Sequence, residues 1–373
     1  MRKIILPFFV LISFSSIAQN FYLFTGTYTG TGSKGIYVYR FNATSGNVSL
    51  LSNTDSVANP SYLTVSPDTK FVYSVNETHG DDPGRVSAFS FNKKTGRLGF
   101  INAEPTDGDD PCYVSLDRTG KWLIAANYTG GSVTAFPVAA DGSLKPYAQL
   151  IQDSGTGFNK QRQEKAHVHS AVFSPDQKFI FTPDLGMDKV MIYKFNPSLK
   201  EPLSPAMHPF EKTLDGAGPR HFVFHPNKKY AYLINELMGA VSVYKYNNGK
   251  LQRVQNIETH PRNFKGVIGS ADIHVSPDGN FLYASNRGDE NTLAIFSIDG
   301  NTGKLKLKGY QSVMGKTPRN FIIDPSGNYL LVANQESDNI VIFKRNKSTG
   351  LLKATGKEIK VPKPVCLQMT EMK

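Results

Sequence analysis

The sequence predicts an all-β ring of small antiparallel sheets, and three observations predict it. A unit of about fifty residues recurs six times along the 373-residue chain. Each unit reads as four short strands of alternating polarity, separated by Gly, Asn and Asp turns. The two ends of the chain carry the complementary parts of one further unit. Together these specify a seven-bladed β-propeller of four-stranded antiparallel blades, one domain over residues 19–373. Its N- and C-terminal strands share the blade that closes the ring.

The units run in order from "NPSYLTVSPDTKFVYSVNE" at Asn59 through "DPCYVSLDRTGKWLIAANY" at Asp110 and "HVHSAVFSPDQKFIFTPDL" at His167. They continue with "GPRHFVFHPNKKYAYLINE" at Gly218, "GSADIHVSPDGNFLYASNR" at Gly269 and "TPRNFIIDPSGNYLLVANQ" at Thr317. Each supplies a first strand, a turn and a second strand, and the turn residues Pro67, Arg118, Pro175, Pro226, Pro277 and Pro325 are equivalent. A second alternating pair follows every unit, as in "VSVYKYNNGKL" and "LAIFSIDGNTGKL". No stretch of useful length keeps a helical period. From Arg118 to Pro175 the spacing is 57, against 51 from Pro175 to Pro226. The surplus falls in the polar "QDSGTGFNKQRQEK", residues 152–165, which leads into His167 and His169 and is expected to overhang one mouth of the channel.

The seventh blade is assembled from both ends. "FYLFTGTYTGTGSKGIYVYRFNATSGNVSL" from Phe21 matches the last three strands of a blade, and "KPVCLQM" from Lys363 matches an innermost strand. Pairing them leaves no open sheet edge. Cys112 and Cys366 both fall on innermost strands, one whole blade apart. That exceeds the roughly 4.4–6.8 Å Cα separation of a disulfide, so two free, buried thiols are expected.

The composition is that of a globular chain, with 39% hydrophobic and 20% charged residues. Residues 1–18 read as a signal peptide: Arg2 and Lys3, an apolar stretch, then Ser16-Ile17-Ala18 as a small-residue cleavage site. The apolar run is shorter than the ~20 residues that span a bilayer. Cleavage near Ala18 would export the protein to the periplasm or the medium, with no membrane span. The formal charge of +11 becomes +9 when Arg2 and Lys3 leave. Its Lys and Arg residues form no long block and no stripe interleaved with aromatics, which argues against a nucleic-acid partner.

In a propeller the start of each first strand and the end of each second strand ring one mouth of the central channel. After the first-strand proline or its equivalent come Ser61, Cys112, His169, Arg220, Ala271, Arg319 and Val365, one per blade. The next position holds Tyr62, Tyr113, Ser170, His221, Asp272, Asn320 and Cys366. Second strands end in a recurring Asn, which satisfies backbone groups of the adjoining loop. The residue after it varies and includes Glu77, Glu236 and Arg287. A scaffold repeats architecture and varies function. The candidate catalytic residues are therefore Glu236, His169, Arg220 and Arg287, on neighbouring blades. His221, Asn235, Arg319, Asp272, Glu77 and His167 are the candidate substrate contacts.

Two guanidinium forks suit a carboxylate, a phosphate or a developing oxyanion. Glutamate and imidazole can exchange protons when their surroundings bring them near neutrality. There is no G-x-S-x-G elbow, no H-E-x-x-H, no Cys/His cluster and no G-x-G-x-x-G between a strand and a helix. Covalent acyl transfer, a metal and a dinucleotide cofactor thus lack sequence support. Attack of an activated water on a strained ester fits the inventory, with no cofactor.

The chain from about Phe21 onward resembles the propeller-type lactonases, which include bacterial 6-phosphogluconolactonase and the fungal carboxymuconate-lactonizing enzymes. The resemblance rests on "GAGPRHFVFHPNKKYAYLINEL", "ADIHVSPDGNFLYASNR", "HSAVFSPD" and "TGTYTGTGSKGIYVYRFN". It implies the same seven-bladed fold and a site of one histidine, two arginines and one glutamate. By motif these are His169 in "HSA", Arg220 in "GPRH", Glu236 in "NEL" and Arg287 in "SNR". It implies hydrolysis of a sugar lactone, expected to be anionic or polyhydroxylated; the protein itself is expected to be a monomer. A cycloisomerase running the lactonizing direction, or a non-catalytic propeller that binds a glycan or protein, would use the same mouth. An export signal sits poorly with a phosphorylated intracellular substrate, so an unphosphorylated or uronic-type lactone is favoured, with 6-phosphogluconolactone the family's own substrate.

Overall fold

The computed structural model describes residues 19–372 except 31 and 56; the signal-peptide reading concerns residues 1–18, outside the described residues. The described residues form seven four-stranded antiparallel sheets and a single 3-10 turn, Gln335–Ser337. We number the blades from the one whose innermost strand is Leu63–Val65. Blades 2 to 6 then begin at Pro111–Leu116, Val172–Phe173, Pro219–Phe224, Ser270–Val275 and Pro318–Ile323. Blade 7 takes its innermost strand, Pro364–Glu371, from the C-terminus. That strand pairs antiparallel with Asn20–Thr27, with Tyr22 opposite Thr370 and Gly26 opposite Cys366. Ring closure is as the terminal half-blades require.

Strict alternation builds the core. In Asn20–Thr27, Phe21 and Leu23 pack toward blade 6 while Tyr22 and Phe24 pack toward blade 1. In Phe281–Asn286, Phe281 and Tyr283 face blade 6 while Leu282 and Ala284 face blade 4. Each blade is thus buried on both faces, and the apolar residues gather in one cluster per interface between neighbours. Every large apolar side chain withdrawn from water there contributes ~1.5–3 kcal/mol.

The turn between first and second strands recurs for a local reason. Ser66, Ser174 and Ser276 each accept the backbone N–H of the residue five ahead through Oγ, and Asp117 does so through Oδ1. His225 takes the same place and reaches Gly279 of the next blade. Two residues after each marker the chain is left-handed, at Thr69, Gly120, Gln177, Lys228, Gly279 and Gly327. Only three of these six carry the glycine that this conformation favours. Cys112 and Cys366 are free and buried.

Candidate active site

The mouth opposite these turns is built by a bulge repeated from blade to blade. In blade 4, Pro219 pairs with Asn235 and His221 with Ile234, so Arg220 is an extra residue in its strand. Cys112, Arg319 and Val365 are extra in the same way in blades 2, 6 and 7, and blade 5 shifts between Ser270 and Ile273. A bulge re-aims a side chain. Here it places Cys112 and Arg319 on a cavity in the mouth and Arg220 against Glu236.

Glu236 is the centre of the site. Its Oε2 accepts from Arg220 Nε at 2.9 Å and lies 3.0 Å from Arg287 Nη2, while Oε1 accepts from Arg162 Nη2 at 2.8 Å. Burial alone would raise this carboxyl. Arg287, Arg220 and Arg162 together overcome burial and bring it to about 2, so it is ionised at neutral pH. Arg220, 1% exposed, is spent on structure: Nη1 donates to Ala271 O and approaches His221 Nε2 at 3.3 Å. Burial, then the neighbouring Arg287, lowers it to about 10. Arg287 donates Nε–H to Gly269 O and turns its other end to Glu236.

A cavity of about 180 Å³ sits over this cluster, lined by Glu236, Arg287, Arg162, His169, Cys112, Tyr128, Glu77 and Arg319. His169 is buried, with Nδ1 3.6 Å from Cys112 Sγ and its ring edge-on to Tyr128. Burial, reinforced by Arg220, His221 and Arg319, holds it well below its ordinary value, so the imidazole is neutral. Glu77 accepts from Tyr28 Oη and Ser61 Oγ and lies 3.7 Å from Arg319 Nη2. Arg319 lies over the Tyr28 ring. Glu77 and Arg319 therefore share the cavity with Glu236, closer than their place on the ring implies.

Other predicted contacts lie elsewhere. Arg220 does not line the cavity; it backs Glu236. His221 donates Nδ1–H to Asp272 Oδ1 at 2.7 Å, and its Nε2 faces the Arg220 donor. Asp272 Oδ2 accepts from His274 Nε2, Asn320 Nδ2 and the Phe321 N–H. His221, Asp272 and His274, with the stacked rings of Tyr62 and Tyr113, line a second cavity of about 330 Å³ on the turn side. Arg220, between the two cavities, is buried, and His221 and Asp272 face the far one. Burial and Arg220 lower His221 to about 4, which keeps it neutral. Asn235 donates Nδ2–H to Ala240 O and Ser242 Oγ inside its own blade. His167 stacks on Tyr128 and bonds Tyr128 O and Glu164 Oε1, beside the cavity. A larger cavity, about 690 Å³, lies on the outer rim around Asn53, Arg97 and Phe100 and holds none of the predicted residues.

Sequence reasoning missed Arg162 and Tyr128 as site residues. Arg162 comes from the long connection after blade 2, which does reach over the mouth. Gln163 anchors that connection: it is fully buried and donates Nε2–H to Leu185 O and Asp188 Oδ1. Asp188 in turn accepts the N–H groups of Gly216 and Gly218, just before Arg220. The available signal was the surplus length of the connection. Among the described residues, no three His, Cys, Asp or Glu side chains converge as a metal-ligand set would.

Comparison with known proteins adds an independent line. The family described as "Lactonase, 7-bladed beta-propeller" matches residues 22–369. The chain is 42% identical to the 6-phosphogluconolactonase of Formosa agariphila over 93% of this chain and 99% of that protein. It is 36% identical to the 6-phosphogluconolactonase of Bacillus subtilis, over 92% and 97% respectively. Among solved structures, the periplasmic gluconolactonase of Pseudomonas aeruginosa superposes with a TM-score of 0.89 at 40% identity, covering 94% of this chain and 99% of that one.

Proposed function

Because the chain belongs to the seven-bladed β-propeller lactonase family, we propose that it hydrolyses a sugar lactone with a water activated in the Glu236 mouth. The observation that carries this reading is an ionised, buried Glu236 facing a small cavity with a neutral imidazole and three arginines. At about 180 Å³ the cavity suits one small ring, below the roughly 300–1,000 Å³ usual for larger ligands.

The chemistry follows from the free positions. A carboxylate has about four acceptor sites, and the described contacts use three on Glu236. The remaining one accepts a proton from water. The hydroxide oxygen adds to the lactone carbonyl carbon, and the carbonyl electron pair moves to oxygen, where Arg287 or Arg319 offers N–H donors. Collapse breaks the ring C–O bond, and the departing oxygen takes a proton to give the open hydroxy acid. His169 orients the water or relays that proton, and a neutral imidazole can do either. Arg220 holds Glu236 in place from behind. His167 supports the rim, and Glu77 with Arg319 fixes the substrate's hydroxyls. Neither His221 nor Asp272 needs to touch substrate in this scheme. The pattern of residues 1–18 and the periplasmic relative support export, which favours an unphosphorylated lactone.

The test is a panel of sugar lactones followed by pH-stat. Glu236→Gln, Arg287→Ala, Arg220→Ala and His169→Ala should each lower turnover by roughly two orders of magnitude or more while the fold persists. Four variants all within about threefold of the parent, far less than removal of such groups costs, would make the mouth a binding surface.

A further inference from the structure

The three guanidinium groups on Glu236 differ in freedom. The side chain of Arg220 is 1% exposed and that of Arg287 16%, but that of Arg162 is 45% exposed. Arg162 uses only Nη2, shared between Glu236 Oε1 and Tyr128 Oη at 3.1 Å. It stands on a connection fixed by its neighbour Gln163, so the guanidinium itself is not what holds the loop. It also covers the one oxygen of Glu236 that neither Arg220 nor Arg287 occupies.

We propose that Arg162 is a specificity-determining residue: it rests on Glu236 in the free protein and transfers to an anionic group carried by the lactone, which strengthens Glu236 as a base. This rests on the lactonase reading of the mouth. An arginine fork bonds one carboxylate as readily as another, so the exchange costs little when the substrate supplies an anion. Glu236 stays compensated by Arg220 and Arg287 after Arg162 departs. The cavity lining carries Arg162, Arg287 and Arg319 against Glu77 and Glu236, with Arg220 directly behind, so an added anion is favoured there. A neutral lactone offers Arg162 nothing, so Oε1 keeps the Arg162 hydrogen bond and stays the weaker base. The preferred substrate is therefore a sugar lactone with a second, acidic terminus.

Two lactones that differ only at that terminus test it: D-glucono-1,4-lactone, which ends in a hydroxymethyl group, and D-glucaro-1,4-lactone, which ends in a carboxylate. The parent should favour the carboxylate. Arg162→Gln should lower kcat/KM for the glucarolactone by roughly ten- to a hundredfold, the size of a lost charge-assisted hydrogen bond. The same change should raise turnover of the gluconolactone. It should also move that reaction's acid limb to higher pH, because Glu236 then faces Arg220 and Arg287, with Arg319 and Tyr128 beyond, but no longer Arg162. Arg162→Lys, which keeps the charge, should retain part of the preference. An unchanged ratio of the two kcat/KM values in Arg162→Gln overturns the proposal, even if both rates fall, and leaves the lactonase reading standing. A parent that opens neither lactone, nor any other of the panel, overturns both.

Discussion

Asp184 is where the repeat conflicts with its surroundings, and replacing it with asparagine should stabilise the protein. The equivalent strand end is Asn in five blades: Asn76, Asn127, Asn235, Asn286 and Asn334. Asp184 Oδ1 accepts the N–H groups of His167 and Met187, but Oδ2 is buried with no partner. Burial pushes its carboxyl up from 3.8 to about 7, and nearby Asp153, itself raised to about 6, adds to this. At ~1.4 kcal/mol for each tenfold change in proton affinity, that rise amounts to about 4 kcal/mol, and local relaxation reduces it to a few. The sign follows from proton counting. Below pH 3.8 the group is neutral in both states and there is no penalty. Between 3.8 and about 7 the native state holds a proton that the unfolded chain has lost, so stability declines as pH rises and levels off above 7. Asn keeps the acceptor for His167 and can donate to the carbonyl of Lys189, as Asn235 donates to Ala240 O. Urea denaturation should therefore show Asp184→Asn more stable than the parent by ~2–4 kcal/mol at pH 8, with the gain shrinking toward pH 4. A difference that is the same at both pH values would refute the reasoning, whatever its sign.

Gly186 is tied to the site by closeness alone, since a Cβ there would lie 1.8 Å from Lys165 O without any left-handed backbone to blame. Gly186→Ala should displace the chain that carries Arg162, His167 and His169, costing ~1–3 kcal/mol in thermal melts and lowering lactone turnover. Retention of both would mean that the connection yields freely. The thiols offer a simpler check. Burial raises Cys112 well above its ordinary value and Cys366 to about 12. A thiol reagent should therefore find neither in the native protein and both in denaturant, and one equivalent reacting natively would contradict that burial.

The sequence by itself determined the ring. Its period counts the blades, its two-residue alternation buries both faces of each blade, and its complementary ends require closure, because these are local and repetitive properties of strands. It also located the mouth, since strand ends converge wherever the blades are equivalent, and it singled out Glu236, His169 and Arg287 as departures from the repeat. Tertiary structure decided the depth at which each side chain sits. The bulge after Pro219 sends Arg220 behind Glu236 and the next residue, His221, into the far chamber. One residue of register thus separates a side chain that backs one cavity from a side chain that lines another, and no pattern of residue types records it. Arg162 reaches Glu236 across 74 positions of sequence, from a connection longer than its counterparts in the other blades. A repeat predicts what it repeats. The insertion's partner depends on where Gln163 and Asp188 pin the loop, and those contacts exist only in the folded ring.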